Sequence, residues 1–411
     1  MRRVLPIPLR DRNFRLFFVG QATSTLGSSF TTVALAFAVL QVTGSVADVG
    51  LALAATRLPL TLFVLFGGVV GDRLPRRAVM LASDAGRFVT QGAAAVLLLS
   101  GRARLWELLV LFALNGLAQA LFNPAAVGLV PELVDGEPLQ AANALLGFGR
   151  SGAALLGQLL GGALVTLTSP GTAFALDSFS FLISAWALSR LSLQGVMAVR
   201  PAGRFFVELR EGWDEFRSRR WLWIGVVHIA LLNAFALVAF FALGPAVAKQ
   251  SLGGGAAWGV VGAGFAAGMM FGSTIAVRWR PSRPLLVSFA AVLLAAPQLA
   301  LLATAAPLAA VALGAFLGGA QASFWDAVWT TTMQQDVPAD AIARVAAYSQ
   351  IGTLVLAPIG YATVGFVAEA VGISEVLWAG AAWIVASTLI VIALPAIRNH
   401  RSRVSVATVA V

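Results

Sequence analysis

Between two long apolar runs, Val46–Gly71 and Ala78–Leu99, the chain reads Gly68-Val-Val-Gly-Asp-Arg-Leu-Pro-Arg-Arg77. Pro75 interrupts a continuous helix, because proline lacks the backbone N–H that the helix requires. The three arginines of this stretch cannot enter lipid without a large free-energy cost, so the stretch must lie in water. The pattern therefore predicts a short, charged reversal between two helices that cross a membrane.

The composition extends this prediction to the whole chain. Of the 411 residues, 59% are hydrophobic and 11% are charged, and the mean hydropathy is +0.86. Soluble domains have about 25% charged residues, and a membrane-spanning helix needs about 20 apolar residues. We therefore predict an all-α membrane protein with twelve transmembrane helices at 14–41, 47–71, 77–100, 106–131, 139–168, 171–193, 221–250, 256–277, 284–304, 308–334, 341–369 and 374–396.

The net charge of +10 is explained by membrane topology and does not indicate a nucleic-acid partner. With both termini in the cytoplasm, 22 of the 28 Lys and Arg residues fall in cytoplasmic segments, as the positive-inside rule requires. The chain has no cysteine, which excludes disulfides and thiolate metal sites. The composition suggests a bacterial genome, so we expect a multi-pass protein of the bacterial cytoplasmic membrane.

The chain repeats internally. Ala118-Gln-Ala-Leu-Phe122 recurs as Ala320-Gln-Ala-Ser-Phe324, a displacement of about half the chain length. Such a displacement indicates two six-helix halves related by a pseudo-two-fold axis along the membrane normal. We predict an N-terminal half at 1–193, a cytoplasmic amphipathic linker helix within 194–220, a C-terminal half at 221–397 and a cytoplasmic tail without regular structure at 398–411.

Several short patterns resemble one branch of the major facilitator superfamily. They include the opening stretch, which is similar to motif A of that superfamily but has Pro75 in place of a glycine, Asp84-x2-Arg87, Asn123-Pro124-Ala125, Asp177-Ser178-Phe179-Ser180-Phe181 and Gln335-Asp-Val-Pro338. The branch is that of the twelve-span drug:proton antiporters that include macrolide exporters and the enterobactin exporter, described as transmembrane secretion effectors. The chain differs from this branch at Gln158: it has Gly157-Gln158 at the position where the antiporter signature of the family has Gly-Pro.

The resemblance implies a role for motif A. In this family it acts as a cytoplasmic latch that holds the halves together in one conformational state. Transferred to this chain, the latch comprises Gly68, Asp72, Arg73, Arg76 and Arg77. The alternative is that these charges only set the topology.

The resemblance also implies that spans one, four, seven and ten line a central substrate cavity. Amides and indoles on one helix face suit amphipathic, partly aromatic ligands. The alternative is that amides join helices and that Trp fills space against lipid. Two of the arginines inside spans, at positions 57 and 150, could bind substrate, and position 57 could instead form a salt bridge. The predicted cavity residues are Asn115, Gln119, Asn123, Gln321, Trp325, Trp329, Arg57 and Arg150.

Acidic residues inside spans are candidates for proton coupling, because buried charges in a membrane mark ion pathways or pairs. Asp326 leads, since no basic residue lies one helical turn away on its own span. It could instead be a gate residue that binds a motif A arginine. Asp177 and His228 are the other candidates, although a lone histidine in an apolar span is usually a packing residue. Asp84 and Arg87, three residues apart, are expected to pair with each other in a structural role.

The favoured function is secondary active export of small amphipathic molecules, such as drugs, antibiotics or siderophore-like compounds, by proton antiport with alternating access. A proton-coupled uptake symporter and a non-transporting membrane receptor remain as alternatives. The chain shows no phosphate-binding glycine loop, so we expect neither an enzyme nor an ATP-driven pump, and no cofactor or bound metal. The expected partners are a small-molecule substrate, protons and the lipid bilayer, with the protein acting as a monomer.

Overall fold

The computed structural model describes residues 7–134, 138–192, 205–279, 281–338 and 341–401. Inside these ranges the side chains of 7–8, 64–73, 138–141, 144, 205–209, 211–212 and 343–344 are not described. The described chain is built from helices joined by short turns, which agrees with the all-α prediction.

The first half contains six long helices at the predicted positions. Their ends agree with the predicted spans to within a few residues, because apolar runs and the polar turns between them define where lipid ends. These helices are α1 (Arg12–Val42), α2 (Val46–Arg73), α3 (Arg76–Leu99), α4 (Leu105–Leu133), α5 (Pro138–Leu167) and α6 (Pro170–Ser189).

The rest of the chain continues with the linker helix and the second set of spans. The elements are α7 (Phe205–Ser218), α8 (Arg220–Leu252), α9 (Gly255–Arg278), α10 (Pro284–Ala303), α11 (Leu308–Asp336), α12 (Ile342–Leu354), α13 (Ala357–Val371), α14 (Ile373–Ala393) and α15 (Pro395–Arg398). The predicted eleventh span is divided into α12 and α13, and Pro358 lies in the first turn of the second piece.

Ten helical segments in the described part of the chain are long and apolar enough to cross a membrane, with α12 and α13 counted together as Val345–Val371. Two predicted spans are not among them, the 24-residue α3 and the 30-residue α5. Helix α3 falls short in apolar character because Asp84 and Arg87 lie within it, and both side chains are buried inside the protein. A helix that hides its charges from lipid in this way can still span a membrane.

The chain divides into two compact units. The first comprises Met1–Pro201 together with Pro245–Ala263, so the end of α8 and the start of α9 pack with the first six helices. Within this unit the Thr166 hydroxyl accepts a 2.7 Å hydrogen bond from the backbone N–H of Ala256. Phe14, Met80 and Leu129 are completely buried in its core, where α1, α3 and α4 meet.

The second unit comprises Ala202–Gly244 and Gly264–Val411. Glycines repeat every fourth residue along α9 and allow close approach to α11, since a Cβ on Gly268 would overlap the carbonyl oxygen of Phe316 and one on Gly272 that of Ala320. This is the small-residue packing that membrane helices use where lipid offers no hydrophobic driving force for association.

Two irregular helices meet inside the second unit. Helix α8 contains π turns at Asn233–Leu237 and Ala248–Leu252. The side-chain amide of Asn233 donates a 3.0 Å hydrogen bond to the carbonyl oxygen of Thr353, near the break between α12 and α13. That carbonyl lies in the last turn of α12, where carbonyl oxygens have no intrahelical partner.

The described parts of the linker and of the tail belong to the second unit and pack against its helices. Helix α7 lies within the predicted linker, and its Phe216 is buried beside Tyr348, with ring centroids 6.1 Å apart. The tail was expected to lack regular structure. Of that tail the structure describes residues 398–401, where α15 ends at Arg398 and His400 Nε2 lies 3.0 Å from the Asp336 carboxylate.

Candidate functional site

A cavity of about 590 Å³ lies in the first unit among α1, α3, α4 and α5. Its wall is part polar and part aromatic, and its volume falls within the range of about 300–1,000 Å³ that drug-sized ligands occupy. The described lining residues are Phe17, Phe18, Gln21, Ala22, Ser24, Thr25, Ser28, Arg87, Gln119, Phe122, Asn123, Ala126, Val127, Val130, Asn143, Leu146, Gly147, Gly149 and Arg150. We call this space the first cavity.

Three of the predicted cavity residues line the first cavity, namely Gln119, Asn123 and Arg150. Asn115 and Arg57 do not. Residues four apart on an α-helix are displaced by about 40°, so a residue eight positions away from Asn123 points about 80° to one side. Asn115 accordingly lies outside the lining, and its Nδ2 is buried without a hydrogen-bond partner.

Arg87 enters the first cavity from α3 and was not predicted to do so. It is 6% exposed, and one face of its guanidinium packs on Phe181, whose ring centroid lies 3.9 Å from Cζ. The predicted Asp84–Arg87 pair is confirmed, with Nη1 3.4 Å from Asp84 Oδ1. Nη2 donates to Ser28 Oγ, also at 3.4 Å, and Nε has no partner.

Asp177 lies behind this wall and is completely buried. Its Oδ2 accepts hydrogen bonds from Thr31 Oγ1 at 3.0 Å and from Gln91 Nε2 at 2.8 Å. Its Oδ1 accepts longer bonds from Ser28 at 3.3 Å and from Ser180 at 3.4 Å. Four neutral donors from α1, α3 and α6 therefore converge on one carboxylate, which ties these helices together.

A second cavity of about 220 Å³ lies in the second unit and is lined from α8, α10, α11, α12 and α14. The predicted residues Gln321, Trp325 and Asp326 all line it. Among its described lining residues Asp326 is the one charged side chain, and it is exposed. Asn233 and Gln298 add amides to the wall.

Trp329 does not line the second cavity, contrary to the predicted stripe on this helix. It is 3% exposed, its Nε1 donates a 3.0 Å hydrogen bond to Ser349 Oγ, and its ring stacks on Trp325. The same 40° displacement per four residues turns it away from the face of Gln321. His228 is also buried, with Nε2 3.5 Å from the Thr388 hydroxyl and its ring against Phe289.

The described arginines of the charged turn bind within their own unit. Arg76 pairs with Glu132 near the end of α4 at 2.7 Å, and Arg77 donates to the carbonyl oxygen of Ser189, the last residue of α6. A cation at a helix C-terminus meets carbonyl groups without intrahelical partners and the negative end of the helix dipole. The other three motif A residues, Gly68, Asp72 and Arg73, lie outside the residues whose side chains are described.

Several cavity residues were missed in the sequence. Gln21, Thr25 and Ser28 line the first cavity from α1 at spacings of four and three residues. The same span also carries Thr23, Ser24, Ser29, Thr31 and Thr32, so its polar residues lie on several faces and do not single out the cavity face. Asn143 on α5 gives no signal either, because it lies close to the polar turn before that helix. Among the described residues, no three His, Asp or Glu side chains come close enough together to hold a metal ion.

Comparisons with known proteins agree with this architecture. Residues 6–408 match the model of the family described as "Transmembrane secretion effector". An uncharacterized MFS-type transporter of Bacillus subtilis, YfiS, is 26% identical over 390 residues, which cover 90% of each chain. The multidrug efflux pump Tap of Mycolicibacterium fortuitum is 29% identical over 189 residues, 44% of this chain and 46% of Tap.

Solved structures show the same fold. The nucleoside transporter NupG superposes with a TM-score of 0.74 at 14% identity and covers 93% of this chain and 98% of its own. A bacterial homologue of the human lysosomal transporter Spinster gives a TM-score of 0.68 at 16% identity, with coverage of 96% and 99%. At these identities the likeness concerns the fold alone.

Proposed function

Because this chain belongs to the transmembrane secretion effector family of the major facilitator superfamily, and is thus a multi-pass membrane transporter, we propose that it exports small amphipathic molecules. The observation that carries the proposal is the first cavity, where Phe17, Phe18 and Phe122 share one space with Gln21 and Gln119. Aromatic rings and adaptable amides together suit ligands with an apolar body and a polar end. The relative Tap is a multidrug efflux pump, which supports outward transport.

Export against a gradient needs an energy source, and we assign this role to the proton gradient with Asp326 as the coupling residue. Asp326 is an exposed residue that lines the second cavity, where no described lining residue is basic. A carboxyl group that can reach water but has no fixed counter-charge can bind and release a proton without breaking an ion pair. Asp177, by contrast, is enclosed by four donors, which favours a structural role.

The proposal is tested by transport into energised everted membrane vesicles from cells that lack or overproduce the protein. A panel of amphipathic compounds should include some that accumulate in the overproducing vesicles, and a proton uncoupler should abolish that accumulation. Accumulation that survives the uncoupler would exclude proton coupling. Uptake by intact overproducing cells in place of export would reverse the proposed direction.

The proposed orientation, with both termini in the cytoplasm of a bacterial cell, makes a direct prediction. Reporter fusions after Arg104 and Ala257 should give extracytoplasmic signals, and fusions after Arg77 and Gly203 cytoplasmic ones. The reason is the excess of arginine on the predicted inner side. Enzymatic reporters active on only one side of the membrane provide the measurement, and inverted signals would contradict the orientation.

The latch proposed for motif A predicts that Asp72→Asn lowers transport several-fold without lowering the amount of protein. A residue that acts in one conformational state shifts a two-state population, whereas the total stability changes little. Export at matched expression is the measurement. Asp48→Asn, an acid in the first turn of the same helix, is the matched control and should retain full export. Equal export by both variants would indicate that motif A sets the membrane topology and has no latch function.

A further inference from the structure

The charged residues among the described lining of the first cavity are all of one sign. Among its described lining residues two are arginines, Arg87 and Arg150, and none is Asp or Glu. The guanidinium group of arginine is a cation that presents five N–H donors and no acceptor. The nearest acids, Asp84 and Asp177, are completely buried and do not line the cavity.

Arg87 is poorly satisfied by the protein. Both of its hydrogen bonds, to Asp84 and to Ser28, measure 3.4 Å, which is beyond the usual range of about 2.7–3.2 Å. Its Nε is buried with no hydrogen-bond partner. The two long bonds leave the terminal nitrogens of Arg87 weakly satisfied, and ligand oxygens that reach them from the cavity would form stronger, charge-assisted hydrogen bonds.

A second side-chain donor lines the same cavity. Gln21 Nε2 is also buried without a hydrogen-bond partner, and Gln21 lines the cavity beside Ser28 on the same helix. The side chains of Arg87 and Gln21 both carry N–H donors, and a carboxylate or another oxyanion accepts from several donors at once. Phe17, Phe18 and Phe122 on the same wall then provide contact for an apolar or aromatic body.

We infer that the first cavity binds amphipathic organic anions, in which an aromatic or aliphatic body carries a carboxylate or similar oxyanion held by Arg87. Arg150, which is exposed in the cavity, adds long-range attraction for the same charge. This inference rests on the proposed function, because it names the substrate class of that same site. Lipophilic cations are disfavoured there, since both charged residues of the described lining are arginines, and Asp84, which offsets part of the charge of Arg87, does not line the cavity.

The test uses two dyes that share one tricyclic xanthene body, fluorescein as the anion and rhodamine 6G as the cation. Binding to the purified full-length protein in detergent, without any gradient, is followed by fluorescence anisotropy. Fluorescein should bind at least about tenfold more tightly than rhodamine 6G, as expected for one additional charge-assisted hydrogen bond. Added salt should weaken fluorescein binding, because part of the attraction is long-range.

Substitutions test whether the preference for the anionic dye arises from the first cavity. Arg87→Gln and Arg150→Gln should each lower fluorescein affinity about tenfold, and Arg150→Gln keeps the test valid if the buried variant misfolds. Arg57→Gln is the matched control, because Arg57 is exposed and lies outside the cavity lining. Asn143→Asp is nearly isosteric and places a carboxylate on the wall, so it should reverse the preference towards rhodamine 6G.

Equal or tighter binding of rhodamine 6G by the unmodified protein overturns the inference, as does binding of neither dye. An equal loss of fluorescein affinity in Arg57→Gln and Arg150→Gln overturns the assignment to this cavity. These outcomes are separate from the proposed export function. Failure of that function appears as a lack of uncoupler-sensitive transport, whatever the dye preference in detergent.

Discussion

Replacing Asp326 by Asn is expected to lower gradient-driven export at least tenfold while leaving downhill exchange of the same compound intact. Asn has nearly the same shape as Asp but holds no titratable proton, so the cavity wall is retained and net proton movement is lost. Downhill exchange survives because it needs only the conformational change between the two access states. Asp326 is exposed in the second cavity, so its replacement breaks no buried contact.

The measurement is accumulation in vesicles with and without an imposed pH gradient, at matched protein levels. Asp326→Glu is the matched control, since it restores a titratable carboxyl group and should keep a substantial part of the coupling. Gradient-driven accumulation by Asp326→Asn equal to that of the unmodified protein would eliminate Asp326 as the coupling residue. Asp177 and His228 would then be the residues to examine.

Replacing Asp177 by Asn is expected to destabilise the protein and to lower both modes of transport together. Oδ2 accepts from Thr31 and Gln91, and an amide nitrogen placed there would face two donors. With the opposite amide orientation it would face Ser28, whose hydroxyl would lose its acceptor, whereas Ser180 would keep its 2.7 Å hydrogen bond to the carbonyl oxygen of residue 177. Each buried donor left without an acceptor costs about 1–3 kcal/mol, a large part of the stability of a typical domain.

The midpoint of thermal unfolding in detergent and the amount of protein in the membrane provide the readouts. Asp326→Asn serves as the control for Asp177→Asn, because the same chemical change at an exposed acid should leave both quantities unchanged. A stable Asp177→Asn protein that exchanges substrate downhill but no longer responds to the gradient would contradict the structural role. That result would make Asp177 the coupling residue.

The helical architecture was largely predictable because its physical cause is local. Lipid requires long apolar helices, so hydropathy located α1 and α4 to within a few residues, and the spacing of Asp84 and Arg87 predicted their pair. The break between α12 and α13 was harder to predict from the sequence. Pro358 favours an interruption there, but the two π turns of α8 have no comparable sequence signal.

The candidate site was predictable only in part, because a membrane helix is apolar on its lipid face as well as on its packed face. Hydrophobic periodicity therefore does not reveal which side points inward. Gln119 and Arg150 were found from their polarity, but Asn115 and Trp329 were placed on the cavity face by a four-residue spacing that drifts around the helix. The bonds of Arg76 to Glu132 and of Arg77 to Ser189 join residues far apart in sequence, which no local pattern encodes.

The π turn at Asn233–Leu237 has a consequence for insertions and deletions in α8. A π turn accommodates one residue more than an α turn, so losing one residue there would leave an ordinary α turn and keep both flanks in register. The same deletion within Arg220–Leu232 would rotate one part of the helix by about 100° relative to the other and shift it by about 1.5 Å. Single-residue length differences among related chains are therefore expected to fall at this turn.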